Sequence, residues 1–215
     1  MTALLTIGVE TGSVERVAAD VAVVTVFETE RPLRGESGRA DWRLCGLLSE
    51  LVRAGHFAGR PGEAALVPTF GRLRAPRLLL LGLGPQPGFG ALEVKAAARE
   101  AVARLLGLRV ASAALALPGQ WTGLLPPGPS AGAVLRGAAA ALTSDATPLG
   151  LDLVVAEGAT AKAMAGLETA WRALPEGAPL VRVRGPVSGG SSLQRGTVLP
   201  AVALEEPIPS LSQRV

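Results

Sequence analysis

Gly82-Leu83-Gly84-Pro85-Gln86-Pro87-Gly88-Phe89-Gly90 is the stretch of this 215-residue sequence whose residue types and spacing come nearest to a ligand site. It follows an apolar run and opens an Ala-rich segment, a setting in which backbone N–H groups and a helix dipole together hold a phosphate. Gly82, Gly84, Gly88 and Gly90 are therefore the candidate ligand-binding residues, with a nucleotide as the candidate ligand. Two features oppose this. The spacing is G-x-G-x-x-x-G rather than G-x-G-x-x-G, and Pro85 and Pro87 each remove an N–H donor from the middle of the loop. Both favour a tight turn built for packing.

Other chemistry is scarce. The chain has one His (His56), one Cys (Cys45), no Tyr and no Asn, which excludes a Cys/His zinc cluster, a disulfide framework and any apparatus needing two histidines. His56 follows a helix end, where it reads as a capping residue. Cys45 lies in the apolar part of a helical pattern and reads as a small core residue. Asp41, Glu50, Glu93 and Glu100 read as solvated helix faces, with Glu100 placed four residues before Arg104 for an ion pair. No catalytic residue, metal ligand or cofactor is expected.

Trp121 is different. It opens the apolar, Pro-rich stretch Trp121-Thr122-Gly123-Leu124-Leu125-Pro126-Pro127. Such a loop either packs onto its own domain or presents an aromatic anchor to a partner, so Trp121, Leu124 and Leu125 are the candidate partner-binding residues.

The elements that must position these residues alternate along the chain. Apolar runs at Ala3–Val9, Asp20–Phe27, Glu63–Thr69, Arg77–Leu81, Val110–Leu117 and Leu151–Ala156 predict strands, the third and fourth as an antiparallel pair. Helical spacing predicts helices over Asp41–Ala54, closed by Gly55, and over Ala91–Leu106, Ser130–Leu142 and Ala159–Leu174. This order predicts an α/β fold with a mixed, mostly parallel central sheet and helices on both faces. Residues 1–174 form the predicted domain. Residues 175–215, rich in Pro, Gly and Ser, read as an irregular tail, in which Val181–Arg184 and Thr197–Leu204 would add short strands if a partner supplied an edge.

Hydrophobic residues make up 48% of the chain and charged ones 18%, enough apolar content for a sizeable core. The net charge is only +3, with 19 Arg spread along the chain, so no basic stripe marks a nucleic-acid surface. No run of about 20 apolar residues predicts a membrane span and no signal peptide is read at the start, which leaves a cytoplasmic location as the expectation.

The order of Val21–Phe27, the helix around Trp42–Val52, the turn Phe57-Ala58-Gly59-Arg60-Pro61-Gly62-Glu63 and Leu79-Leu80-Leu81-Gly82-Leu83-Gly84 resembles the N-terminal domain of leucyl aminopeptidases, the M17 metallopeptidase family. That family has an F-x-G-x-x-G-E turn before a strand and L-L-x-G-L-G before a helix. Leu151–Leu174, ending Trp171-Arg172-Ala173-Leu174, is similar to the junction with its catalytic domain. The resemblance covers roughly 20–174 and implies a macro domain-like fold. The family's dimetal site, with its N-T-D-A-E-G-R-L motif, is expected to be absent, since the sequence holds no Asn.

The expected role is therefore that of a non-catalytic, stand-alone domain acting in oligomeric assembly or partner binding. One rival is an accessory subunit of a separately encoded metalloaminopeptidase. Another is a macro-like module that binds ADP-ribose or another nucleotide through Gly82–Gly90, with Asp20 or Glu28 as its early acidic residue.

Overall fold

The computed structural model describes residues 4–143, 146–175 and 181–185. Its strands are β1 (Leu5–Thr11), β2 (Val21–Phe27), β3 (Ala64–Pro68), β4 (Arg77–Gly84), β5 (Ser112–Ala116), β6 (Leu149–Val155) and β7 (Val181–Val183). Its helices are α1 (Gly35–Arg43), α2 (Leu47–Arg53), α3 (Ala91–Gly107), α4 (Pro127–Ala140) and α5 (Thr160–Arg172). The strands form one sheet in the order β3-β4-β2-β5-β6-β1-β7. Every pairing is parallel except β3 with β4, where Leu66 faces Leu79.

The residue pattern accounts for this arrangement. A parallel strand covered on both faces needs apolar side chains at successive positions, and in β2 only Thr25 is not fully buried. Val21, Val23 and Phe27 join Leu5, Ile7 and Leu79 beneath α3, α4 and α5 in the larger core. Ala22, Val24 and Val26 join Leu78 and Leu80 beneath α1 and α2 in the smaller one, with Ala40, Leu48 and Val52. Helices thus cover both faces, as the sequence predicts.

Four expectations change. The helix over Asp41–Ala54 is two helices, because the chain turns left-handed at Cys45 (φ 56°) and Gly46 (φ 86°). The Gly46 N–H bonds Asp41 O at 2.9 Å and the Cys45 N–H bonds Trp42 O at 3.1 Å, a two-bond closure of α1. Cys45 is exposed at that corner rather than in the core. Asp41 is no solvated face: its carboxylate accepts the Leu48 N–H (2.8 Å) and Ser49 N–H (3.0 Å) and so caps α2. The apolar spacing runs unbroken because both helices bury against the same sheet face. Gly55 closes α2 as expected, with the exposed His56 donating its backbone N–H to Leu51 O at 2.9 Å.

The fourth change concerns Val181–Val183, which needs no partner: it pairs with β1 of its own chain. The indole N–H of Trp171 in α5 donates to Val181 O at 3.0 Å, and Arg184 pairs with Asp152 across β1. Thr197–Leu204 lies outside the described residues.

Candidate functional site

The chain leaves β2 toward α1 on one face of the sheet, and leaves β4 and β5 toward α3 and α4 on the other. Connections therefore diverge on both sides of the carboxyl end of β2, where open α/β sheets form ligand crevices.

On the β4 side the space is filled. The turn Phe57–Glu63 lies against the end of β4, and the Gly84 N–H bonds Gly59 O at 2.8 Å. A Cβ at Gly82 would stand 2.0 Å from Arg60 O, and one at Gly59 would stand 2.8 Å from Phe27 O. The Glu63 carboxylate accepts three successive backbone N–H groups, those of Ala58 (2.9 Å), Gly59 (2.8 Å) and Arg60 (3.0 Å). Desolvation pushes the Glu63 carboxyl up, but these bonds and the Arg60 charge outweigh it and hold the group below its usual range.

Three of the four candidate loop glycines are spent in the same way. Gly82 and Gly84 are buried residues of β4, Gly88 is exposed, and the Gly90 N–H is taken by the Glu93 carboxylate at 2.8 Å. The four are not brought together as a cradle. Glu93 thereby caps α3 instead of facing solvent, and Glu100 pairs with Arg104 as expected. Neither early acidic candidate faces a ligand space. Asp20 sits at the amino end of β2, accepting the Ala111 and Ser112 N–H groups at 2.9 Å. Glu28 faces Arg60 at 3.8 Å.

On the β5 side a crevice of about 270 Å³ remains. Its walls come from the end of β2 (Thr25), the start of α1 (Arg34, Arg39) and the segments after β5 and β6 (Gln120, Ala156). A shallower hollow of about 530 Å³, bordered by Leu33, Gly38 and Trp42, continues around α1 and shares Arg34 and Arg39 with it. Trp42 is 75% exposed there.

Two carboxylates fix the crevice wall. Glu30 is buried and accepts the Phe27 N–H (3.1 Å), the Arg34 N–H (2.8 Å) and the Ser37 hydroxyl (3.4 Å). Burial pushes its carboxyl above the usual glutamate value, against the pull of those donors. Glu36 accepts the Ser13 hydroxyl and the Val14 N–H, each at 2.8 Å, and pairs with Arg39 at 3.3 Å. These bonds tie the start of α1 to the end of β2 and to the turn Val14–Arg16.

Trp121 stands at the crevice on a short turn, Gln120–Thr122, that hangs between two left-handed glycines, Gly119 and Gly123 (both φ 69°). Its ring meets Phe27 edge-to-face at 6.4 Å, and the Arg34 guanidinium lies over it at 5.6 Å. Leu124 is exposed, whereas Leu125 packs on the larger core. The three candidate partner residues thus separate: one half-buried against its own domain, one open to solvent, one largely buried. Sequence reasoning missed Arg34 and Arg39, at the start of α1, and Gln120, after β5, which lie far apart in the chain and carry no motif. The one local signal is Arg34-Gly35 at the start of a helix.

Among the described residues no three His, Cys, Asp or Glu side chains gather closely enough to hold a metal ion. Nor is any described helix long and apolar enough to cross a membrane.

Residues 23–142 match the family model for the cytosol aminopeptidase family, N-terminal domain. A probable cytosol aminopeptidase of Geobacter sp. (strain M21) is 38% identical over 101 residues, 47% of this chain and 20% of the relative. That of Alkaliphilus metalliredigens is 33% identical over 76 residues, 35% of this chain and 15% of the relative. The chain therefore matches no more than a fifth of either relative's length. Among solved structures, a mutant of tomato leucine aminopeptidase superposes with a TM-score of 0.62 at 21% identity, over 78% of this chain and 35% of that one. An Oceanobacillus iheyensis macrodomain with ADP gives 0.62 at 13%, over 76% and 90%. A Trypanosoma brucei macrodomain in complex with ADP-ribose gives 0.61 at 17%, over 76% and 68%. At these identities the superpositions establish the macro domain-like fold.

Proposed function

Because the chain belongs to the cytosol aminopeptidase family through its N-terminal domain, we propose that it is a non-catalytic domain of that family, acting in self-association or the binding of a partner protein. The observation that carries this reading is the outer edge of β3. Among the described residues no strand pairs with that edge, and Leu66 on it and Phe70 just beyond it are 42% and 73% exposed. An unpaired edge with apolar neighbours recruits another chain by strand addition. An accessory subunit of a separate metalloaminopeptidase is the same reading with its partner specified. A cytoplasmic location is part of the proposal, supported by the name of the relatives.

The test is the protein's mass in solution by light scattering, followed by an affinity pull-down at moderate and high salt. We expect a dimer or a stoichiometric, salt-resistant partner, lost on Leu66→Lys without loss of folding. A monomer that recovers only itself overturns the reading.

A second reading is favoured by the crevice between β2 and β5, where Arg34 and Arg39 border a space at the divergence point of the sheet. It is that of a small-ligand site for a phosphate-bearing compound of nucleotide type. The solved macrodomains named with ADP and ADP-ribose share its fold. The crevice replaces Gly82–Gly90 as the place where a ligand would bind. Calorimetric titration tests this reading, and silence at millimolar ligand removes it.

A further inference from the structure

The crevice is small, and its bulkiest lining side chain is Trp121. Its volume of about 270 Å³ falls below the range of roughly 300–1,000 Å³ that suits drug-sized ligands. Trp121 forms part of its wall. A Cβ at Gly35 would stand 2.7 Å from Trp121 Cδ1, so the indole rests directly on the backbone that opens α1. Gly35 also has a φ of +56°, so close approach and conformation both call for glycine there.

Behind the indole, Phe27 and Phe89 meet edge-to-face at 4.8 Å, and Phe89 lies so close to Gly119 that a Cβ there would stand 2.5 Å from its ring. Aromatic rings therefore run through the core from the β4 side up to Trp121. An anchor for a protein partner would offer its faces to solvent. Trp121 has Arg34 over its ring and Phe27 against it, and is only 38% exposed.

We propose that Trp121 is the specificity-determining residue of this crevice: its indole occupies the room a nucleoside would need and limits the site to a compound no larger than a sugar phosphate. This rests on the second reading above, that the crevice is a ligand site. The guanidinium groups of Arg34 and Arg39 supply the charge that selects an anion, and the Gln120 side chain, whose Oε1 already accepts the Ala156 N–H at 3.2 Å, keeps its amide N–H groups for the sugar. Replacing Trp121 by a small residue would then admit the larger ligand without altering the charges.

The experiment is calorimetric titration of the wild-type protein, Trp121→Ala and Trp121→Leu with ribose 5-phosphate and with ADP-ribose, each variant first checked for a cooperative thermal transition. We expect the wild-type protein to bind ribose 5-phosphate and to bind ADP-ribose about tenfold or more weakly than Trp121→Ala does, with Trp121→Leu between them. The graded pair keeps the test decisive if the alanine variant fails to fold, since Trp121→Leu alone must then gain ADP-ribose affinity. Equal ADP-ribose affinity in the wild-type protein and the folded variants overturns the role of Trp121 and leaves the crevice reading standing. Ribose 5-phosphate binding without a gain for ADP-ribose in any variant does the same. Silence of both ligands with every folded protein overturns both.

Discussion

The carboxyl end of β2 has two flanks, and they are built on opposite plans. On the β4 flank backbone meets backbone: Gly82, Gly84 and Gly59 let the Phe57–Glu63 turn close onto the strand, and a carboxylate fills the ring of N–H groups that remains. On the β5 flank side chains meet space, with Arg34, Arg39 and Trp121 around an open crevice. The flank richer in glycine is the closed one. A run of glycines signals that a backbone must come close to something, and here that something is the protein's own chain. The closed flank should therefore answer to substitution with stability, and the open flank with affinity.

The largest expected effect is on the closed flank. Gly82→Ala puts a Cβ 2.0 Å from the backbone oxygen of Arg60, which no side-chain rotation relieves. It should cost about 3 kcal/mol. Gly88→Ala, in the same loop, meets no atom within reach and has only its left-handed φ of 79° to pay for, about 1 kcal/mol. Urea unfolding of the two variants measures the difference. Equal losses would mean that the loop and not the turn contact sets stability.

Much of this division was legible in the sequence, for physical reasons that particular residues illustrate. Val21–Phe27 and Leu78–Leu81 are apolar at successive positions, so two-sided burial follows directly. The pairing of Ala64–Pro68 with Arg77–Leu81 follows from the turn residues between them. The break at Cys45 was hidden because Leu44, Leu47, Leu48 and Val52 keep helical spacing on both sides of it. The crevice was hidden for a deeper reason. Arg34 and Gln120 are neighbours only because β2 and β5 are, and that adjacency is a property of strand order, which no local pattern encodes.

The two flanks also carry carboxylates of opposite pH behaviour. Glu30 on the open flank is raised by burial, so between its folded value and the ordinary glutamate value the folded state holds more protons than the unfolded chain. Its contribution therefore grows as pH falls through that window. Glu30→Gln should remove this gain. It should also cost about 1–2 kcal/mol at neutral pH, since an amide NH₂ would face either the Phe27 or the Arg34 N–H. Thermal melts of the variant and the wild-type protein from pH 7 to pH 4 check both effects.

Glu63 on the closed flank is lowered, despite desolvation, by its three backbone donors. Its stabilising contribution is complete above the ordinary glutamate value and is lost as pH falls through the lowered folded value. Glu63→Gln should cost about 1 kcal/mol at pH 7, a small figure because the carboxylate is only partly buried. Below the folded value the cost should vanish, so melts of the two proteins should converge as pH falls through it. Convergence for Glu30→Gln instead would reverse the assignment of the flanks.

The smallest effect on stability belongs to Arg39→Ala. The Arg39 side chain is 62% exposed and spends one contact on Glu36, three residues earlier on the same helix, at 3.3 Å. Such a pair contributes about 0.2–0.5 kcal/mol, so the melting temperature should barely move. Yet Arg39 borders both the crevice and the adjoining hollow, and it is one of two arginines that line the crevice. A charge-assisted bond to an anion contributes several times what the surface pair does, about 1.5–3 kcal/mol, so ribose 5-phosphate affinity should fall by about tenfold or more. A variant that melts like the wild type and binds like it would show that the open flank, too, serves only the fold, because the one residue there with little structural work would then have no other.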